Sequence, residues 1–149
     1  MSGESGAGAG GGELGLVGSP GRRLYFEDVE VKGSRSKGVS CRVTLRKGEA
    51  SWMGEAQGIE GDRSRLELAA RATLLAIAAA EEREGQLALE GVKLIQAFEK
   101  NFVFVGVTVR SGWDVKLLAG TCEIRESAET ASVFAVLDAT NRWIEQEPR

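Results

Sequence analysis

The chain has 149 residues, a hydrophobic fraction of 42% and a net charge of −3, which suits one globular domain with a core. So small a net charge excludes a general electrostatic attraction to nucleic acid or to an anionic membrane surface. The sequence contains no histidine, which excludes nucleophilic systems with a histidine base and zinc sites with histidine ligands. We predict no cofactor, no metal site and no catalytic residue, and expect that the chain is not an enzyme.

Residues 1–21 form a glycine-rich segment of low complexity, which we expect to be a disordered tail. Such a segment cannot bury enough apolar surface to offset its ordering entropy. No basic stretch followed by an apolar segment indicates a secretory signal, and no apolar run approaches the roughly 18 residues of a membrane span. We therefore expect a cytoplasmic protein in which residues 22–149 form a single domain.

Three strands are predicted in the first half of the chain. Residues 25–31 form the first, and residues 39–46 form the second, in which apolar and polar side chains alternate strictly. Residues 50–57 form the third, with Trp52 on one face and Met53 on the other. Short polar or glycine-containing turns separate the strands, which favours an antiparallel meander.

A helix is predicted after the third strand. Ser64 and Glu67 have the spacing of a capping box, so Ser64 is the predicted start of the helix. Gly85 is its predicted C-terminal stop. The core face consists of residues at helical spacing, which are Leu66, Ala70, Thr73, Leu74 and Ile77.

The second half of the chain repeats this plan from about residue 87 to 147. Three strands are predicted between residues 87 and 124, followed by a helix that Ser127 caps and that runs to about residue 145. The middle strand is apolar on both faces, so we expect it to be covered on both sides. The core face of this helix comprises Val133, Val136, Leu137, Thr140 and Ile144.

The two halves also match in sequence. Residues 24–31 correspond to 87–94, and residues 43–46 correspond to 107–110. Gly54 corresponds to Gly120, so matching positions lie 63 to 66 residues apart. A unit of about 60 residues is only marginally stable by itself. We therefore predict an α+β fold of tandem duplicated β-β-β-α units that pack with pseudo-two-fold symmetry, with antiparallel sheets and two helices.

Each unit has a glycine-containing third strand and an alanine-rich helix, as in residues 54–58 before the first helix and residues 135–142 in the second. With these features, the chain over about 24–144 resembles the C-terminal allosteric domain of 2-isopropylmalate synthases. The resemblance implies a non-catalytic regulatory module.

The start of the first helix is a candidate site for a small anionic ligand. Exposed N–H groups at a helix N-terminus attract anions, and flanking arginines add positive charge. An ordinary turn with a helix cap is the alternative interpretation. The residues concerned are Gly58, Gly61, Arg63, Ser64 and Arg65.

A second candidate is the stretch 31–47, which is basic and contains no acidic residue. Its residues on the polar strand face could contact nucleic-acid phosphates. A solvated charged face that protects a sheet edge explains the same pattern. The basic residues of this alternative are Lys32, Arg35, Lys37, Arg42 and Arg46.

The tryptophans indicate packed surfaces. We interpret Trp52, Trp113 and Trp143 as core or subunit contacts, and Trp143 with Ile144 as a candidate anchor for an interface. The sequence thus predicts a regulatory or interaction module whose partner is a second copy or another protein, with a small anionic ligand in addition. A nucleic-acid-associated protein that uses the basic strand face is the alternative.

The two cysteines, Cys41 and Cys122, lack the spacing of a metal site. Two small buried residues and a disulfide both agree with the sequence. A cytosolic chain would keep the two thiols reduced.

Overall fold

A computed structural model describes residues 23–34, 36, 38–83 and 85–146. Within these residues the predicted β-β-β-α-β-β-β-α order and the α+β class are confirmed. The predicted tail at 1–21 lies outside the described residues. The elements are β1 Tyr25–Ser34, β2 Gly38–Lys47, β3 Ala50–Gly58, α1 Asp62–Glu81, β4 Leu87–Ala97, β5 Lys100–Ser111, β6 Asp114–Glu123 and α2 Ala128–Gln146.

Each unit forms an antiparallel three-stranded sheet with its second strand in the middle. We call β1–β3 sheet A and β4–β6 sheet B. The first strand of each sheet has an extra residue where the register shifts, Glu27 in β1 and Glu90 in β4. A bulge at the same place in both sheets identifies them as copies of one unit.

Register pairs show which positions of the two units are equivalent. Val43 pairs with Gly54 in sheet A as Val105 pairs with Gly120 in sheet B. Val43 is therefore equivalent to Val105, and its predicted match with Val107 is wrong by two residues. The β5–β6 hairpin continues for six pairs beyond Val105–Gly120, whereas β2–β3 continues for four beyond Val43–Gly54. A shift of two preserves strand alternation, so the sequence pattern could not detect it.

Both helices lie between the two sheets. α1 packs on β2 and β3 and touches β4 of the other sheet, while α2 packs on β5 and β6 and touches β1. These reciprocal contacts are the predicted pseudo-two-fold arrangement. The middle of each helix exposes only a narrow stripe, Arg71 and Leu75 in α1 and Phe134 and Asp138 in α2. The inner faces of both sheets are consequently covered.

Alanines on the helices permit close approach to the sheets at two equivalent points. A Cβ atom at Gly54 would overlap the carbonyl oxygen of Ala72 and would lie 2.7 Å from the nitrogen of Ala76. Only a glycine leaves room for helix and strand backbones at this separation. The same contact in the second unit involves Gly120, Ala135 and Ala139.

The helix starts differ in how well the sequence predicts them. α1 begins at Asp62, with Gly61 at the N-cap and without a side-chain cap hydrogen bond, so the prediction of Ser64 as cap is wrong. Ser64 lies inside the first turn, because the chain already becomes helical at Asp62. The prediction for α2 is confirmed, since the N–H of Thr130 donates to the hydroxyl oxygen of Ser127 at 3.0 Å.

The C-terminal end of α1 is also not the predicted one. Glu82 takes the left-handed conformation, with φ of 56°, and ends the helix before Gly85. The side chain of Glu81 is only 1% exposed, and Lys47 Nζ donates to its Oε2 at 2.9 Å. A carboxylate at a helix C-terminus opposes the helix dipole, and the lysine compensates for this charge.

Hydrogen bonds join the two units beyond their apolar contacts. Asn141 Oδ1 accepts a hydrogen bond from the N–H of Leu24 at 3.2 Å, and Asn141 Nδ2 donates to the Leu24 carbonyl at 3.1 Å. The hydroxyl of Ser132 in α2 donates to the carbonyl of Leu66 in α1 at 2.8 Å. The start of β1 and the end of α2 are therefore held together.

Candidate functional site

The outer face of sheet B, which points away from the helices, carries a group of exposed apolar side chains. Phe104 on the central strand is 36% exposed, Ile95 on β4 is 39% exposed and Leu117 on β6 is 65% exposed. Half-buried Phe102 and exposed Val115 lie on the same face. We call these five residues the sheet B patch.

The prediction that β5 is covered on both sides is wrong. Its inner residues are buried against the helices, whereas Phe104 and its outer neighbours face away from them. Two helices that lie between two sheets cover the inner faces and leave both outer faces open. The predicted elements already indicated that two sheet faces stay exposed, because two helices cannot cover the four faces of two sheets.

The outer face of sheet A is mainly polar, with Tyr25 and Met53 as its exposed large apolar residues. Glu30 separates two of its cations, with its Oε1 3.6 Å from Arg42 Nη1 and its Oε2 4.0 Å from Lys32 Nζ. Glu55 on β3 stands opposite Arg42 on its other side. These acids weaken the positive potential that nucleic-acid phosphates require. Of the predicted basic residues, Lys32, Arg42 and Arg46 lie on this face, and Arg35 and Lys37 lie outside the described residues.

Residues of the sheet B patch have polar residues at the equivalent positions of sheet A. The register relates strands β1 to β4, β2 to β5 and β3 to β6. The equivalent pairs are Lys32 and Ile95, Arg42 and Phe104, and Ser51 and Leu117. The inner face is apolar in both sheets, so the two units share a core and differ on the surface.

At the predicted anion site, the start of α1, a carboxylate of the protein itself binds the arginine. Arg65 Nε and Nη2 each donate to a Glu60 oxygen at 2.7 Å, and the N–H of Gly61 donates to Glu60 at 2.9 Å. This two-bond pair neutralises the Arg65 charge. Arg63 is exposed and lies 3.9 Å from Glu67. The other two predicted residues are Gly58, at the end of β3, and Ser64, in the first turn of α1.

The pair gives Glu60 a distinctive titration. Hydrogen bonds from Arg65 and from the Gly61 N–H lower the pKa of Glu60 from 4.5 to about 2. Because the folded pKa is the lower one, the stabilisation is complete above pH 4.5 and is lost as the pH falls through 2. Carbon-13 NMR of the Glu60 carboxyl should show a midpoint near pH 2. The midpoint should rise in Arg65→Met, and a midpoint of 4.5 in the unchanged protein would contradict the pair.

The prediction that Trp143 and Ile144 anchor an interface is wrong. They are 6% and 2% exposed, because the last turns of α2 lie between the sheets. The guanidinium of Arg83 lies 4.9 Å from the centroid of the Trp143 ring, a cation–π contact within the chain. Both residues belong to the core.

The other two tryptophans occupy different environments. Trp52 is half-buried on the inner face of sheet A, and its indole N–H has no hydrogen-bond partner among the described residues. Trp113 is fully exposed at the tip of the β5–β6 hairpin, so it is not a core residue. Phe98 is exposed at the opposite end of sheet B, in a turn with φ of 56°. Exposed aromatic residues thus mark both ends of sheet B.

Two clefts of about 680 and 450 Å³ lie over the exposed stripes of the helices. The larger is lined by β1, β6 and α2, and the smaller by β3, β4 and α1, as the pseudo-two-fold symmetry requires. The rings of Phe26 and Phe134 meet in the larger cleft at a centroid distance of 5.2 Å. Its charged rim includes Arg125, whose Nη2 lies 3.4 Å from Glu123 Oε1.

Cys41 and Cys122 are not joined in a disulfide. Burial, with a smaller contribution from Glu129, raises the pKa of the Cys41 thiol to about 11, and burial also raises the pKa of Cys122. In the described part of the chain, no group of three side chains suits a metal ion. No helix there is long and apolar enough to cross a membrane.

No known protein family matches the chain, and no curated protein is significantly similar to it. The resemblance to the allosteric domain of 2-isopropylmalate synthases therefore stays a prediction.

Proposed function

We propose that this chain is a non-catalytic interaction module that binds another protein surface through the sheet B patch. The contrast between the two outer faces carries the proposal. Sheet A has Lys32 and Arg42 at the positions where sheet B has Ile95 and Phe104. The two copies of the unit therefore have the same arrangement of strands, but different side chains are exposed on their outer faces.

The apolar residues of the patch are not a requirement of the fold. Sheet A has the same strand order and the same bulge with polar residues at the equivalent positions. Covering apolar surface stabilises a protein by about 25 cal/mol per Å². A contiguous group such as Phe102, Phe104 and Leu117 marks an interaction site more often than a tolerated exposure.

Charged residues surround the patch, as at the rim of protein interfaces. Lys100 Nζ lies 3.5 Å from Glu123 Oε2 at one end of the face. Lys93 and Glu90 lie along the β4 edge, and Arg110 lies at the other end. Both signs of charge occur, which favours a protein partner over a polyanion.

Recognition of a small anion has less support. The Arg65 charge at the start of α1 is already paired with Glu60. The absence of histidine from the sequence agrees with a role in binding instead of acid–base chemistry. Apolar contact through sheet B is therefore the mode of action that we propose.

Site-specific photo-cross-linking tests the proposal without assuming the partner. Benzoylphenylalanine in place of Leu117, which is 65% exposed, should give a discrete cross-linked protein species in the native cells. The matched control is the same residue in place of Met53, which is 62% exposed on the outer face of sheet A, and it should give none. Products of equal yield at both positions, or none at position 117, would refute the proposal.

A further inference from the structure

We infer that the partner on the sheet B patch is a second copy of this chain, with the two sheets B packed face to face about a two-fold axis. This inference rests on the proposed function and specifies its partner. The centre of the outer face of sheet B is complementary to itself both in shape and in charge.

On the outer face of sheet B, the Phe104 side chain forms a projection, and the glycines Gly91 and Gly106 form a notch beside it. Gly91 and Gly106 pair with each other across β4 and β5, so this point of the face has no side chains. A Cβ atom at Gly91 would meet no other atom within 4 Å, which shows open space above Gly91. Glu90 and Leu117 form the walls of the notch, each 3.4 Å from a Cβ at Gly106. Phe104 projects about 7 Å further along β5.

The two-fold axis lies between the two sheets, perpendicular to the strands, at the midpoint between Phe104 and Gly106. Rotation about this axis places the projection of each copy over the notch of the other. Each Phe104 then lies over the Gly91–Gly106 pair of the other copy. Packed sheets are about 10 Å apart, a gap that a phenyl ring over bare backbone can fill. The same axis brings the Phe98 turn of each copy close to the Trp113 turn of the other. Both hairpin tips thereby join the contact.

At the centre of the contact this axis also brings opposite charges together, whereas at the ends of β5 it places Arg110 of one copy near Lys100 of the other. Lys93 is the register partner of Phe104, and Glu90 is the bulge residue next to Gly91. The exchange therefore places Lys93 of one copy over Glu90 of the other, twice in each dimer. Neither residue has an ion-pair partner among the described residues of its own chain. The contact thus adds two pairs of opposite charge without burying a like pair at its centre.

The area is sufficient for a weak specific dimer. Three strands at a spacing of about 4.8 Å, each about ten residues long, cover roughly 480 Å² per copy. Two such faces together bury about 1,000 Å², the lower limit for a specific interface. A contact of this size is expected to be weak and reversible. The outer face of sheet A, with Lys32 and Arg42, offers no comparable apolar surface.

Sedimentation velocity over about 1 to 200 µM tests the dimer and should give a mass approaching twice the 15.9 kDa of one chain. Phe104→Arg introduces the residue that sheet A has at the equivalent position, so the fold should tolerate it. It should weaken association at least about 30-fold, as expected for a central interface residue. The control Met53→Arg should leave the dimer unchanged, and circular dichroism should show both variants folded.

A charge exchange tests the position of the axis. Lys93→Glu and Glu90→Lys should each weaken the dimer, because each places like charges opposite one another. The double variant restores opposite pairs and should recover most of the affinity. Two single losses without recovery in the double variant would overturn the proposed axis.

The dimer and the proposed function can fail separately. A chain that stays monomeric up to 200 µM, while position 117 cross-links to a different protein, overturns the dimer and leaves the proposed function standing. A dimer that Met53→Arg dissociates and Phe104→Arg does not would overturn both.

Discussion

Gly120→Ala is expected to lower the free energy of unfolding by about 3 kcal/mol or more. A Cβ atom there would overlap the carbonyl oxygen of Ala135 and lie 2.5 Å from the nitrogen of Ala139. Overpacking typically costs about 1 to 3 kcal/mol, and more where rigid backbone atoms must move apart. Urea-induced unfolding at one fixed protein concentration measures the loss. Gly54→Ala should show a similar loss, because Gly54 has the same relation to Ala72.

Gly33→Ala is the matched control for this prediction. A Cβ atom at Gly33 would meet only the side-chain ends of Glu60 and Arg65, at 3.1 and 3.3 Å. These ends can shift, so we expect a change below about 1 kcal/mol. Equal losses for Gly33→Ala and Gly120→Ala would show that backbone contact between helix and sheet is not the cause.

Lys47→Val is expected to destabilise the protein by about 3 kcal/mol. The substitution removes the cation 2.9 Å from Glu81 Oε2, a carboxylate whose side chain is 1% exposed. Loss of a cation beside a buried carboxylate costs up to about 3 to 5 kcal/mol, because water solvates the buried charge poorly. Urea-induced unfolding at pH 7 provides the measurement.

The second unit supplies the control for this pair. Val109 and Ile144 occupy the positions equivalent to Lys47 and Glu81, and each is 2% exposed. The double variant Lys47→Val with Glu81→Ile should therefore regain most of the stability that Lys47→Val loses. Additive losses in this double-mutant cycle would contradict a buried pair that an apolar pair can replace.

The elements of the fold could be predicted because their patterns are local. Alternation with a period of two identified the strands, and helical spacing identified the core faces of both helices. The repeat then implied that the units pack against each other. The two-residue error at Val43 arose because strand alternation is unchanged by a shift of two. The wrong cap at Ser64 arose because the same spacing also occurs inside a first turn.

The candidate surfaces depended on tertiary structure and were harder to predict. Burial of Trp143 requires the knowledge that α2 lies between two sheets. The Glu60–Arg65 pair requires the geometry of the loop before α1, where the sequence showed only nearby opposite charges. The sheet B patch required a choice of which face of β5 the helices cover. All three depend on how the units pack, which local patterns do not contain.

The hydrogen bonds between Asn141 and Leu24 have a consequence for the connectivity of the fold. They place the beginning of the first unit beside the end of the last helix. The path of the chain is therefore nearly closed on itself, and packing does not dictate which unit comes first. A circularly permuted chain that starts at Leu87 and continues from α2 through a short linker into Leu24 would preserve every contact between the sheets and the helices. The two units can therefore be joined at either of two equivalent connections, and the natural chain uses the one between α1 and β4.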